Sequence, residues 1–224
     1  MISKFNAIIV SIAVTIFSFN SAFSQVSDEK SDKSIERRYA FFNLRGSNAI
    51  DIAAGSAMIE GDYPETEFDL YFKIGYKHHI TSHLNINFSY HKYNVVVKDI
   101  YNEGFMSFDL NLEFLFSPYT KFSPFLYAGS GYNASNYFEN TATKAQGGAG
   151  FEFIFTEGVG LKLFGEYNYM FTDELDGLVD GDSDDILFRA GLGLNFYFGG
   201  NKKKEALRRK MKTVINSNQI IPYK

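Results

Sequence analysis

The segment Glu67-Phe68-Asp69-Leu70-Tyr71-Phe72-Lys73-Ile74-Gly75-Tyr76-Lys77 sorts its side chains by parity. Phe68, Leu70, Phe72, Ile74 and Tyr76 fall on one side; Glu67, Asp69, Tyr71, Lys73, Gly75 and Lys77 fall on the other. A β-strand sends successive side chains to opposite faces, so this segment has one apolar face and one polar face. Helical spacing would mix the two classes.

The same parity recurs on both sides of that segment. Leu84, Ile86, Phe88 and Tyr90 stand against Asn85, Asn87, Ser89 and His91. Met106, Phe108, Leu110, Leu112, Phe114 and Phe116 stand against Ser107, Asp109, Asn111 and Glu113. Residues 48–59, 124–133, 144–155, 160–171 and 186–198 repeat it less cleanly. The spacing predicts eight strands, each near the ~9–11 residues a tilted transmembrane strand requires. Compact connections at 81–83, 117–123 and 156–158 alternate with generally longer or more polar ones at 60–66, 98–103, 134–143 and 172–185. Short turns on one side and longer loops on the other are the asymmetry of membrane barrels, and an even strand count puts both chain ends on the short-turn side.

Composition agrees. The chain of 224 residues holds 24 Phe, 15 Tyr and 19 Gly but only 4 Pro. Its slightly polar mean hydropathy suits a barrel, in which only alternate residues meet lipid. The absence of cysteine excludes disulfides, thiolate metal sites, a cysteine nucleophile and an acylated lipoprotein anchor. A net charge of −4 makes no electrostatic case for nucleic acid, and no cofactor motif is present.

The ends read differently from the middle. Lys4, the apolar run Ala7–Phe19 and the small residues of Ser21-Ala22-Phe23-Ser24 predict a cleaved signal peptide over 1–24. Residues 25–47 begin with a charged stretch, Gln25 to Arg38, and read as a flexible polar lead-in. The barrel is expected over 48–198. The tail, 199–224, concentrates Lys202, Lys203, Lys204, Arg208, Arg209, Lys210 and Lys212 and is expected in the periplasm, as a surface helix on anionic lipid or as disordered chain.

A soluble sandwich or lipocalin-like barrel also alternates, with its apolar residues inward and an outer face rich in Lys and Glu. Here the apolar faces of the second, third, fourth and eighth strands are long and almost free of charge. The opposite faces mix Gly, Ala, Asn and charges of both signs. The reading is an all-β, eight-stranded antiparallel up-and-down transmembrane β-barrel.

With the strands placed, 48–198 resembles the OmpA-like and OmpX-like family of eight-stranded outer-membrane barrels. The sharpest motif is Gly191-Leu192-Gly193-Leu194-Asn195-Phe196-Tyr197-Phe198. It looks like the final-strand signal that the outer-membrane insertion machinery reads, with Gly191, Gly193, Phe196 and Phe198 carrying the pattern. In that family the signal often ends the protein, whereas here the tail follows it. The stretches Gly104–Glu113, Gly129–Phe138 and Val214–Asn218 also look like barrel modules found with CsgG-type curli secretion proteins of Bacteroidota. The chain has no room for the CsgG pore-forming domain. The resemblance implies a non-enzymatic, porin-like barrel of the cell envelope in a Gram-negative outer membrane. It would serve structure or the anchoring and assembly of partners. Alternatives are an accessory component of curli assembly and a minor pore or uptake protein. Partners would be outer-membrane lipid, the insertion machinery, and a periplasmic or secretion-system protein.

With polar faces inward, Asp69, Lys73, Lys77, Asp109, Glu113, Glu152, Lys162, Glu166 and Arg189 are expected to line the lumen as a paired charge network. An eight-stranded barrel is just wide enough for side chains to fill it, so a polar plug is expected rather than a channel. The acidic loop holds alternate carboxylates Asp180, Asp182 and Asp184, which suit a hard cation such as Ca²⁺. The EF-hand pattern fails there: Asp185 occupies the glycine position and Gly191 that of the bidentate glutamate. A solvated outer loop is the default. His78, His79, His83 and His91 read as polar strand-end or lumen residues. Ser89 and His91 share a face, but no orienting acid or oxyanion donor is identifiable.

Overall fold

Extended backbone and period-two burial coincide along the chain. The computed structural model describes residues 28–60, 66–67, 69–97, 101–138, 140–171 and 186–211. The expected signal peptide, the Asp180–Asp184 loop and the end of the tail lie outside those residues.

Eight long strands follow in order: β1 (Asn48–Glu60), β2 (Asp69–His79), β3 (Leu84–Val97), β4 (Tyr101–Leu115), β5 (Phe122–Ser135), β6 (Thr141–Thr156), β7 (Val159–Met170) and β8 (Ile186–Phe198). A two-residue piece, Thr66–Glu67, pairs with Val97 and Val96 and prolongs the β2 side of the sheet. Each strand pairs antiparallel with its sequence neighbours. β1 and β8 then pair with each other, from Asn48 opposite Phe198 to Glu60 opposite Ile186. The sheet is a closed barrel with no edge. Most strands run a few residues beyond the lengths expected from sequence, and β4 begins at Tyr101, inside the connection expected at 98–103.

Parity decides which way each side chain points. Along β2, Leu70, Phe72, Ile74 and Tyr76 are exposed, while Tyr71, Lys73, Lys77 and His79 are buried. The same inversion holds on β4, where Phe108, Leu110, Leu112 and Phe114 face outward and Ser107, Asp109, Asn111 and Glu113 face inward. Phe72, Phe88 and Leu163 are each half accessible, at 50%, 53% and 53%. A barrel that turns its Phe and Leu outward and its charges inward is built for hydrocarbon outside. Among the described residues no helix is long and apolar enough to cross a membrane.

Two helices close one end. Helix α1 (Asp28–Leu44) precedes β1, and α2 (Asn201–Lys210) follows β8. The charged stretch to Arg38 predicts a flexible lead-in, whereas residues 28–44 form a helix. They are helical because Tyr39, Ala40, Phe41 and Phe42 supply an apolar end to an otherwise polar helix. Phe41 is buried edge-on to His79 at 5.1 Å. Leu207 is the one buried residue of α2, and its helix packs on α1. Tertiary packing of a short apolar patch is sufficient to order a helix that propensity alone would leave marginal. Gly199 and Gly200 have φ of 74° and 90°, the left-handed backbone that lets the chain leave β8 and turn into α2.

Leu110 lies near the middle of the outward face of β4. Leu110→Arg should cost about 2–4 kcal/mol of stability in a bilayer, read as a lower urea midpoint for the refolded protein in vesicles. An unchanged midpoint would contradict a lipid-facing β4.

Candidate functional site

Among the described residues, the lumen gathers most of the buried charged groups. Five buried cations, Lys73, Lys77, Lys144, Lys162 and Arg189, come from the strands, as do five buried anions, Asp51, Asp109, Glu113, Glu152 and Glu166. Equal numbers make the strand-borne interior nearly neutral, which is what allows ionised groups to be enclosed at all. Arg45 adds one further cation from the loop that joins α1 to β1.

At the helical end, Arg45 acts as a cork. Its Nε donates to Glu152 Oε2 at 2.8 Å, and Nη2 lies 2.7 Å from the same oxygen. Its Nη1 donates to the carbonyls of Pro118 at 2.7 Å and Thr120 at 3.0 Å. Glu152 also accepts from Asn195 and from the Tyr197 hydroxyl. Above it, Lys77 Nζ donates to both Glu113 oxygens at 2.8 and 2.9 Å, and Asn85 donates to the same carboxylate at 3.0 Å.

Asp51 is the centre of the next group. Lys73 approaches it to 3.3 Å, Lys162 forms a closer ion pair, and Asn87 donates to it at 3.2 Å. Lys162 reaches across because β1 and β8 present small inward residues there. A Cβ on Gly193 would stand 2.5 Å from the Ile52 carbonyl oxygen and 2.7 Å from Lys162 Cε, so the close neighbouring backbone leaves no room for a side chain beside the lysine. Gly193 therefore has a packing duty independent of any signal in the terminal strand. Gly191 also faces inward, while Phe196 and Phe198 lie exposed in the apolar band.

The largest group surrounds Arg189. Its Nη2 donates to Asp109 Oδ2 at 2.7 Å and to Asn168 Oδ1 at 2.8 Å, and its Nε donates to Glu166 Oε1 at 2.7 Å. Lys144 donates to Asp109 at 3.0 Å and to Asn168 at 2.7 Å. Tyr127 donates to Glu166 at 2.9 Å. His91 Nδ1 lies 2.7 Å from the Tyr71 hydroxyl, and Nε2 lies 2.8 Å from Ser89 Oγ and 3.1 Å from Asp109 Oδ2. A neutral ring protonated on Nε2 fits this set, with Tyr71 donating to Nδ1. The Ser–His pair thus forms, with Asp109 beside it. Ser89, His91 and Asp109 are all fully enclosed.

Aromatic rings separate these ionic groups. Lys162 and Lys73 lie 4.9 and 5.6 Å from the centre of the Phe164 ring. Lys77 lies 5.6 Å from Phe125, and Arg189 lies 5.4 Å from Tyr71 and 5.8 Å from Tyr93. Ring faces attract the cations that carboxylates do not fully surround. Beyond Arg189, towards the end away from the helices, Tyr93, Phe105, Met170, Leu187, Ala57 and Ala142 form a largely apolar cap, with Tyr93 and Phe105 stacked at 6.0 Å and the buried Asn133 amide donating to Met170 Sδ at 3.1 Å. The lumen is therefore not polar throughout.

Of the expected lumen charges, Lys73, Lys77, Asp109, Glu113, Glu152, Lys162, Glu166 and Arg189 meet in these groups. Asp69 does not. It shares their face but sits half-buried at the end of β2, accepting the Leu70 N–H at 2.6 Å. Asp51 and Lys144 were missed, although both have inward parity; Asp51 was hidden between Ile50 and Ile52. Nothing in the sequence marked Arg45, which precedes any alternating pattern. His79 packs between Phe41 and Tyr197, His78 bonds Asn48, and His83 Nδ1 bonds the Leu115 carbonyl at 2.7 Å. Among the described residues no group of three or more His, Asp or Glu is arranged to hold a metal ion.

No protein-family model and no curated protein matches the chain. Solved structures do match. Neisserial surface protein A is similar with a TM-score of 0.57 at 16% identity, over 68% of this chain and 98% of that one. The N-terminal β-barrel domain of Pseudomonas aeruginosa OprF (TM-score 0.44, 17% identity, 68% and 99% covered) is similar to a lesser degree. So is Ail, the attachment invasion locus protein of Yersinia pestis (TM-score 0.47, 15% identity, 69% and 100% covered). The chain has the fold of the eight-stranded outer-membrane β-barrels. At these identities the likeness speaks for the fold alone.

Arg189→Met should destabilise the folded barrel by roughly 3–5 kcal/mol, because Asp109 and Glu166 stay buried without their guanidinium. Adding Asp109→Asn to that variant should recover part of the loss in the same urea titration. Equal stability of all three proteins would mean that the network carries no net interaction.

Proposed function

We propose that this protein is a non-enzymatic barrel of a Gram-negative outer membrane, closed to solutes, that anchors a pair of helices at its periplasmic end. On this reading residues 1–24 are a cleaved export signal and residues 199–224 a periplasmic tail. Gly191, Gly193, Phe196 and Phe198 belong to the strand that the insertion machinery reads. The single observation that carries the proposal is the filled lumen: Arg189 is 1% accessible and its three polar partners are buried with it. Two barriers in series oppose ions, the ionic groups and then the apolar cap around Tyr93 and Phe105. A free path would need either to come apart.

Anchoring, rather than transport, follows from how α1 is held. Arg45 ties the helix into the barrel through buried bonds, and Asn43 Nδ2 donates to Glu157 Oε1 at 3.0 Å on the neighbouring turn. A fixed helix pair at the membrane surface suits assembly with a periplasmic or secretion-system protein. The reading as an accessory to curli-type fibre secretion rests on the sequence likeness of 104–113, 129–138 and 214–218 alone. Catalysis is disfavoured because the Ser89–His91 pair is sealed inside.

The purified protein in planar bilayers should show no steady conductance at moderate voltage. Arg45→Ala should loosen α1 without opening a channel, since the Asp109–Arg189 group and the apolar cap remain. Reproducible ohmic steps from the unmodified protein would replace this reading with that of a minor pore.

A further inference from the structure

We propose that the notch between α1 and the Thr81–His83 turn binds the phosphate-bearing headgroup of an anionic phospholipid in the leaflet around the helical end. This rests on the membrane reading given above and names the lipid class that the rim recognises. The notch has a volume of about 610 Å³ and is walled by Lys33, Arg37, Arg38, Ser82, His83 and Tyr119 among others.

Its charge is one-sided. Lys33 and Arg37 stand four residues apart on α1, as do Ser34 and Arg38, so one helical face presents three cations and a hydroxyl. All four of these residues line the notch, and among the described residues no carboxylate does. Of the helix acids whose side chains are described, Asp32 and Glu36 are four apart and lie outside the lining of the notch. Arg37 and Arg38 are exposed, and a guanidinium is the side chain whose fork fits phosphate oxygens. Helix α2 extends the same sign over the rim with exposed Lys202, Lys203, Arg208, Arg209 and Lys210; Glu205 and Glu157 are the acids near them.

The far wall points to a lipid rather than a soluble anion. His83 stacks on Phe114 at 5.6 Å, and Tyr119 meets His83 edge-on at 5.4 Å. Phe114 in turn meets Phe116 at 5.3 Å, and both phenylalanines belong to the exposed apolar band. The basic notch therefore runs without a break into the lipid-facing surface. A ligand with a phosphate and attached acyl chains uses both halves; a cell-wall fragment or a free ion uses only the first.

The cations are also held in place. Arg45 is fixed by four polar contacts, three of them buried, and Phe41 packs on His79, so α1 cannot swing away from the turn without breaking them. Pre-set positive charge at headgroup depth costs little ordering when the lipid arrives.

The test uses the full-length refolded protein in neutral detergent, offered equal amounts of phosphatidylglycerol and phosphatidylcholine and read by native mass spectrometry. Phosphatidylglycerol should be retained in clear preference. Arg37→Gln combined with Arg38→Gln should lower that preference by about five-fold or more, with heat-modifiable migration of the barrel unchanged. Ser82→Asp, which adds a negative charge from the turn and leaves α1 untouched, should do the same. Lys202→Gln with Lys210→Gln on α2 should leave the preference largely intact. The proposal is overturned by equal retention of the two lipids, or by a preference that survives both notch variants. It is also overturned if the α2 control loses the preference equally, since the effect is then diffuse charge. Displacement of the lipid by millimolar inorganic phosphate alone, or by soluble peptidoglycan fragments, would likewise overturn it. Each of these outcomes leaves the closed-barrel reading standing; a protein that never folds into detergent or bilayer would sink both.

Discussion

Hydrocarbon offers no partner to a peptide N–H or C=O, and everything else in this protein follows from that. Backbone groups of all eight strands are paired because β1 meets β8 along its full length, from Asn48 to Glu60. Once the ring closes, each strand has only two places to send its side chains. The alternation of Phe72 with Lys73, or of Leu110 with Asp109, then sorts residues between lipid and lumen. A one-residue slip of any strand would carry its charges into the bilayer and its phenylalanines into the ionic interior. The register is set by that mutual penalty.

Enclosing ten strand-borne charges raises a second problem, which pairing alone does not solve. Desolvation opposes every buried ion pair, and only a dense set of secondary bonds makes enclosure tolerable. Asn168 shows the arrangement. Its oxygen accepts from Lys144 and Arg189, while its nitrogen donates to Glu166 at 2.9 Å. Phe164 and Phe125 place ring faces beside Lys162 and Lys77. Gly193 has no side chain where the Ile52 carbonyl and Lys162 both come close. The interior is thus a mixture of ions, amides and rings whose members depend on one another. This dependence is why the lumen reads as a plug.

The helical end joins that interior to the membrane surface. Arg45 belongs by sequence to a polar lead-in and by structure to the lumen, where it meets Glu152. Its insertion gives α1 a fixed position, and a fixed α1 brings Arg37 and Arg38 beside the aromatic wall of the Thr81–His83 turn. Anchor, cork and basic rim are consequences of one buried guanidinium.

Much of this was legible beforehand. Period-two spacing from Asn48 to Phe198 determined the strands, their number and which residues face lipid, because pleating makes side-chain direction a matter of parity. It also determined most of the lumen charges, from Lys73 to Arg189. Tertiary structure alone decided the partners: parity places Asp51 and Lys144 inside but does not say that Lys162 reaches the first or Arg189 shares Asp109 with the second. It decided that Asp69 stands at the rim, that Phe105 and Leu187 cap the ionic groups, and that a charged helix folds back to seal one end. Those outcomes depend on strand tilt and on contacts between residues distant in the chain, such as Arg45 with Glu152, and a local pattern carries no information about distance across a closed ring.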